Sequence, residues 1–373
     1  MVREGGGAEG TQADRGTTRR VQRTGSSSLA VTLPKSWTEA MNVRAGTPLR
    51  FTDLGGGRLE IAIGSTNVGG QEHPQPLRIE ATDLPPQLLS RLLVGSYVVG
   101  QDHVHITARG GLGGPQRQEI RALAARMLGM NIVGESPEGV EVQNFVDPTR
   151  YPLSRLLDQM LRLLGMELRS CRQMLSTRVR AAPAEFPGRE EEIDRLYLLM
   201  VRQLLVASDD FRVAREIGVE SHHYQIGYRV VVKMLEEVGD LLAWIGPELQ
   251  GSLDRLQDLP QGPLGNIDSQ FQKLETRLEA TMEAFTRLSV IQANATLNAI
   301  EEDLAADPAL LKSITGRIRD VPTANSVQRI GSGLAQALQM LAVVNEITIN
   351  RAVEPETVAR SQGRVVLDTS RKA

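Results

Sequence analysis

Two sets of side chains in this sequence have types and spacings that could do chemistry. Arg15, Arg19, Arg20, Arg23 and Lys35 place positive charge in one short stretch, and no acid falls between Arg15 and Lys35. Guanidinium groups neutralise phosphates with counterion release and can read guanine edges bidentately. The hydroxyls of Ser26, Ser27 and Ser28 could fix a backbone on phosphate oxygens. In a dimer the patch would double to about ten charges, enough to neutralise several phosphates. Charge alone describes a solvated basic arm equally well.

The second set is carboxylate. Glu190 and Asp194 are four residues apart, as are Glu236 and Asp240. That spacing puts each pair on one face of a helix. Two helices presenting such pairs to each other could hold a hard or borderline cation such as Mg²⁺, Mn²⁺, Zn²⁺ or iron. Acidic residues at this spacing also serve simply as a solvated face, and Glu190 to Glu192 suit the positive end of a helix.

The elements that must position these groups fall into three regimes. Residues 18–64 are short and β-like: a run from Thr18 to Arg23, a strand over Leu29–Leu33, a short helix from Pro34, and strands over 48–52 and 58–63 flanking Gly55–Gly57. So short a segment buries little core by itself, a problem that interleaved dimer strands would solve. A Gly-, Asn- and Gln-rich linker covers 65–75. Over 76–146 strands and helices alternate as a small α/β module. From about 148 the β signal vanishes, and Leu153, Leu156, Leu157, Met160, Leu163 and Leu164 begin a helical stripe. Further helices are predicted over 189–217, over 221–259 with an interruption at Gly246-Pro247, and over 267–291, 293–319 and 323–353. Breaks are expected at Glu185–Gly188 and at Pro260–Pro263. Two successive groups of three helices suggest a duplication.

The fold class expected is thus multidomain: a small β head, a small α/β module, then all-α tandem three-helix bundles over 150–259 and 265–353. Residues 1–17, Gly-rich and polar, read as a disordered tail, and 354–373 as a C-terminal tail.

Composition narrows the function. The 373 residues carry 42 Lys+Arg against 45 Asp+Glu, a net charge of −3, which excludes a uniformly basic nucleic-acid coat. Aromatic residues at 3% argue against a stacking platform for single strands. The single cysteine, Cys171, excludes a disulfide framework within the chain and implies a reducing, cytoplasmic setting. No apolar run is long enough to span a membrane. There is no Gly-x-Ser-x-Gly and no His-Glu-x-x-His, and Gly110–Gly114 is not followed by the Lys of a phosphate loop, so no enzyme is expected. His103 and His105 share one face of a strand and read as ordinary surface or core histidines.

The order Val21-Gln-Arg-Thr-Gly-Ser-Ser-Ser-Leu-Ala-Val-Thr-Leu-Pro-Lys-Ser-Trp37, then Val43-Arg-Ala-Gly46, then Leu59-Glu-Ile-Ala-Ile63, resembles the AbrB/SpoVT-type swapped-hairpin DNA-binding domain. The resemblance implies a homodimer whose basic face sits on double-stranded DNA, with Arg19, Arg20, Arg23, Ser27 and Lys35 as contacts. Some antitoxins share this fold, so the fold alone does not specify a regulator.

Tyr228-Arg-Val-Val-Val-Lys-Met-Leu-Glu-Glu-Val-Gly-Asp-Leu-Leu-Ala-Trp-Ile245 is similar to the PhoU signature, and Asn325-Ser-Val-Gln-Arg-Ile-Gly-Ser-Gly-Leu-Ala335 occupies the matching place in the second group. This resemblance implies metal bound through the carboxylate pairs Glu190, Asp194, Glu236 and Asp240, and contact with a phosphate transporter or signalling protein. The sequence departs from the pattern where the family's Arg is Glu237. In the second group the acidic positions are Gln328 and Ser332, and the helix-two counterparts are Asn294 and Asn298. Any divalent or iron-type metal ion is therefore expected in the first bundle only.

Together these features predict a dimeric cytoplasmic transcription regulator of phosphate uptake and homeostasis. Its bundles would sense a partner or metal, and a bound state would alter DNA affinity by shifting populations. The alternatives are a non-DNA adaptor that restrains a phosphate ABC transporter through the bundles, and a helical metalloenzyme built on the same carboxylates.

Overall fold

The computed structural model describes residues 18–25, 28–55, 58–64, 76–181, 185–219, 222–256 and 261–354. The expected tail 1–17, the linker 65–75 and all of the C-terminal tail beyond Glu354 lie outside the described residues. The chain divides into two compact units, Met1–His73 and Pro74–Ala373.

In the first unit, β1 (Gln22–Thr24) pairs antiparallel with β2 (Ser28–Ala30), placing Arg23 opposite Leu29. Gly25 turns the chain between them at a φ of +81°, which a side chain would resist. Helix α1 (Lys35–Ala40) follows Pro34, whose fixed φ suits a helix entrance. Strands β3 (Leu49–Gly55) and β4 (Arg58–Ile63) form a second antiparallel hairpin, with Leu49 opposite Ile63. The strand expected over Leu29–Leu33 pairs only as far as Ala30, because no described strand lies beside Val31–Leu33. The two hairpins are separate two-stranded sheets. Among the described residues of 18–64 none is buried: Leu29 is 72% and Phe51 59% exposed. Isolated hairpins of this kind are marginal in water.

The second unit opens with a four-stranded sheet. Its elements are β5 (Leu77–Glu80), α2 (Leu88–Val98), β6 (His103–Thr107), α3 (Gly114–Arg126), β7 (Met130–Glu135) and β8 (Gly139–Asn144). The strand order is β5-β6-β8-β7. β5 runs parallel to β6, as the α2 crossover requires, and the other pairs are antiparallel. Along β6 the period of two buries Val104 and Ile106 and turns His103 and His105 to the other face. Leu93, Tyr97, Ile120 and Val142 complete a small core.

The remaining chain is helical: α4 (Leu153–Thr177), α5 (Glu185–Asp209), α6 (Phe211–Glu216), α7 (His222–Leu256), α8 (Gln261–Arg287), α9 (Val290–Thr315) and α10 (Val321–Ala352). The α4 stripe buries Leu153, Leu157, Met160, Leu164, Leu168, Cys171 and Met174, as its spacing of three and four predicts. Helix α7 packs against α4, α5 and α10. Helix α4 also meets α8, and α10 meets α8 and α9. One continuous apolar core runs from α4 through α10. No described helix is long and apolar enough to cross a membrane.

Several helix boundaries differ from expectation. Gln261–Pro263, expected within a break, open α8, where a proline in the first turn gives up no helical hydrogen bond. Glu185–Gly188 is the first turn of α5 rather than a break. Proline in a first turn gives up only an N–H that has no helical partner there. The helix expected over 189–217 stops at Asp209, because Asp210 caps a new helix by accepting from the backbone N–H of Arg212 and Val213. Helix α7 runs straight across Gly246-Pro247. A proline there costs roughly 3 kcal/mol, and the fully buried Ile245 and Leu249 on either side anchor the helix against that cost. Gly246 has a packing reason: a Cβ there would lie 2.4 Å from the buried Phe186 ring.

Arg202 of α5 joins the helices to the α/β module. Only 5% exposed, it donates to the carbonyls of Tyr97, Gln101 and Gly100 and to the Asp102 carboxylate, and it lies over the Tyr97 ring. Burial lowers its pKa, against which Asp102 acts to raise it.

Candidate nucleic-acid interface and cation centre

The basic set belongs to the first unit. Arg19 and Arg20 precede β1, Arg23 is its middle residue, and Lys35 opens α1; all four are exposed. Lys35 lies 3.6 Å from Glu39 across one helical turn. That pair is open to water and worth at most about 1 kcal/mol, so it leaves the ammonium available to a stronger anion. No described acid pairs with Arg19, Arg20 or Arg23. Ser27 lies outside the described residues. Exposed guanidinium groups without internal acceptors are chemically suited to phosphate oxygens.

The carboxylate set belongs to the second unit, where α5 lies against α7. Glu190 and Asp194 of α5 and Asp240 of α7 each offer an oxygen, and these oxygens lie within 4.8 Å of one another. Glu236, Glu237 and Asp240 form a second such group. Asp240 is common to both, so the structure gathers all four predicted carboxylates about one helix pair and adds Glu237. Partial burial, then the Asp194 charge, pushes the Asp240 carboxyl up. Burial likewise raises Glu236.

Two tethered cations stand against this charge. Arg126, the last residue of α3, donates Nη2–H to Asp194 Oδ2 at 2.7 Å. Lys233, one turn before the acids on α7, bonds Glu236 and reaches Glu237 Oε1 at 2.7 Å. Burial would lower the lysine pKa, but the two carboxylates outweigh that and hold it above its ordinary value.

A further carboxylate, which spacing did not single out, is Glu167 of α4. It is fully buried, and neither carboxylate oxygen has a hydrogen-bond partner. Burial pushes its carboxyl up to about 8, Arg189 opposes the shift, and the charges of Glu190 and Asp240 add to it. Glu167, on a third helix, is thus near enough to Glu190 and Asp240 for their charges to act on it, while its oxygens lie outside the two 4.8 Å groups. A signal for it existed in the sequence: it continues the spacing Met160, Leu164, Leu168 and Cys171, as a carboxylate in an apolar stripe. An all-oxygen donor set whose negative charge Arg126 and Lys233 compensate only in part, with an orphaned buried acid nearby, suits a hard cation.

The second helix group is built differently. Asn294 and Asn298 are exposed on α9, as are Gln328 and Ser332 on α10. Its buried acids are Asp303 and Asp307, a pair four apart that the sequence reading passed over. Lys273 Nζ lies 2.8 Å from Asp303 Oδ1, and Arg277 donates to Oδ2 at 3.0 Å. Gln270 donates to Asp307 at 3.5 Å. This pair carries its own counter-charge from α8. Asn325 and Gln328 line a polar groove between α7 and α10 with Arg255 and Arg329. His103 and His105 belong to no cluster of potential metal ligands among the described residues.

Comparison with known families places the head. Residues 22–63 match the family described as antidote-toxin recognition MazE, bacterial antitoxin. No curated protein and no solved structure matches the chain. The head spanning β1 to β4 is accordingly similar to a MazE-type antitoxin domain, and a mixed-sheet module and a helical region that makes up most of the protein follow it.

Proposed function

We propose that this chain is a cytoplasmic, non-enzymatic transcription regulator that binds duplex DNA as a homodimer. The observation that carries the reading is the head itself: similar to a MazE-type domain, it exposes Arg19, Arg20 and Arg23 without a described acid partner and has no buried residue among those described. A second copy would cover Leu29 and Phe51 and bring two basic edges together. Arg19, Arg20, Arg23 and Lys35 contact phosphates in this reading, and Ser27 joins them from the turn. The helical region is the sensor. Its input is a divalent or iron-type cation at Glu190, Asp194, Glu236 and Asp240, or a partner protein. The PhoU-like residues around Tyr228–Ile245 favour control of phosphate uptake, with a phosphate transporter or signalling protein as that partner.

The test is retention of genomic duplex fragments by the full chain across a salt series, beside a chain with Arg19, Arg20 and Arg23 changed to Ala. The intact chain should select fragments and lose affinity steeply with salt. The variant's slope should be shallower by roughly one unit for each phosphate contact removed. Failure of the intact chain to bind duplex DNA at low salt overturns the reading, and the head is then a dimerisation device.

A further inference from the structure

The acidic cluster is bridged to the α/β module by one exposed arginine, and that contact falls on one of the three carboxylates a cation would use. Arg126 closes the C-terminal turn of α3, a position the helix dipole favours for a positive charge. Its Nη2 lies 2.7 Å from Asp194 Oδ2, and Asp194 shares a 4.8 Å group with Glu190 and Asp240. The arginine side chain is 47% exposed, so it can leave Asp194 for water without burying an unpaired charge.

Resting on the cation reading above, we propose that Arg126 is a tethered competitor: a cation entering among Glu190, Asp194 and Asp240 displaces its guanidinium and frees the end of α3. The buried carboxylate of Glu167 on α4, neither of whose oxygens has a hydrogen-bond partner, stands near enough to Glu190 and Asp240 to feel their charges and marks the cluster as short of positive charge. Arg126 supplies only part of that charge, at the rim. Lys233 supplies more, but the acids it is tied to lie three and four residues along its own helix and its ring contact is with Tyr197 of α5, so its displacement frees nothing in the α/β module. Arg126 is different because its backbone belongs to another element.

Among the described residues the module has two arginine joints to α5, and they are unequal. Arg202 is buried, with several acceptors, and is permanent. Arg126 is exposed, bound to one carboxylate, and exchangeable. Occupancy would therefore release one edge of the module while Arg202 holds the other, loosening the turn from Met127 to Met130 that leads into β7.

The experiment is Mn²⁺ titration of the full chain by calorimetry, with Arg126→Gln and Asp240→Asn alongside, and amide hydrogen exchange over residues 121–131 with and without Mn²⁺. Arg126→Gln should bind Mn²⁺ more tightly, by roughly 2- to 5-fold, the size of a half-exposed ion pair. Asp240→Asn should lose binding. In the unaltered chain Mn²⁺ should speed exchange over 123–131. In Arg126→Gln exchange there should already be fast and indifferent to Mn²⁺. Equal or weaker Mn²⁺ binding by Arg126→Gln overturns the competition while leaving the cation site standing. So does exchange over 123–131 that ignores Mn²⁺ in a chain that binds it. No Mn²⁺ binding by any of the chains overturns the site and the competition together. Arg126→Lys, which keeps the charge and loses the guanidinium geometry, should fall between the two; circular dichroism at each step reports whether the variants are folded.

Discussion

Glu167 and Arg202 are the side chains whose surroundings say most about the second unit, and both break an apolar pattern. Glu167 sits where the α4 stripe calls for a leucine, without a hydrogen-bond partner for either oxygen. Replacing an unsatisfied buried polar group by an apolar one of similar shape is neutral to stabilising, by about 1–3 kcal/mol. Glu167→Met should therefore raise the unfolding midpoint of chelator-treated protein while weakening Mn²⁺ binding. A midpoint that falls would show that the carboxylate has a structural partner. Arg202 predicts the opposite sign: Arg202→Ala takes a donor from the Gly100 and Gln101 carbonyls and leaves the Tyr97 carbonyl only the Gly100 N–H, and should cost about 2–4 kcal/mol in urea unfolding. The i,i+4 carboxylates were legible in the sequence because periodicity alone sets which residues share a face. Arg126 and Asp194 were not legible as a pair, since their contact depends on how the module docks on α5.

At the scale of elements, the strands and helices followed from alternation and three–four spacing, and their ends did not. Gly246-Pro247 reads locally as a stop, yet α7 continues because its buried neighbours outweigh the lost hydrogen bond. The same helix offers two glycines with opposite expectations. Gly246→Ala would drive a Cβ to 2.4 Å from the Phe186 ring and should destabilise by about 1–3 kcal/mol. Gly251 has nothing within 4 Å of such a Cβ, so Gly251→Ala should stabilise the helix by about 0.5–1 kcal/mol. Denaturant melts of the two variants, read side by side, check whether α7 is one rigid rod across its proline. The acid pair of α9 was illegible for a related reason: what makes Asp303 structural is Lys273 and Arg277 on a different helix.

At the scale of the whole molecule, the head and the helical region pose different problems of burial. The head leaves Leu29 72% exposed, and on a dimer reading that side chain belongs to the seam. Leu29→Asp should shift the full chain toward monomer in sedimentation velocity and lose most of its DNA affinity with it. A variant that stays dimeric would place the seam elsewhere. The helical region has the reverse property, because its apolar core passes without interruption from the first helix group to the second. A chain severed between α7 and α8 would leave each half with an open apolar wall, sticky alone and complementary to the other. Co-expressed, the two fragments should rejoin as one cooperative body, so that the chain behaves as a natural split protein whose halves report on each other's presence.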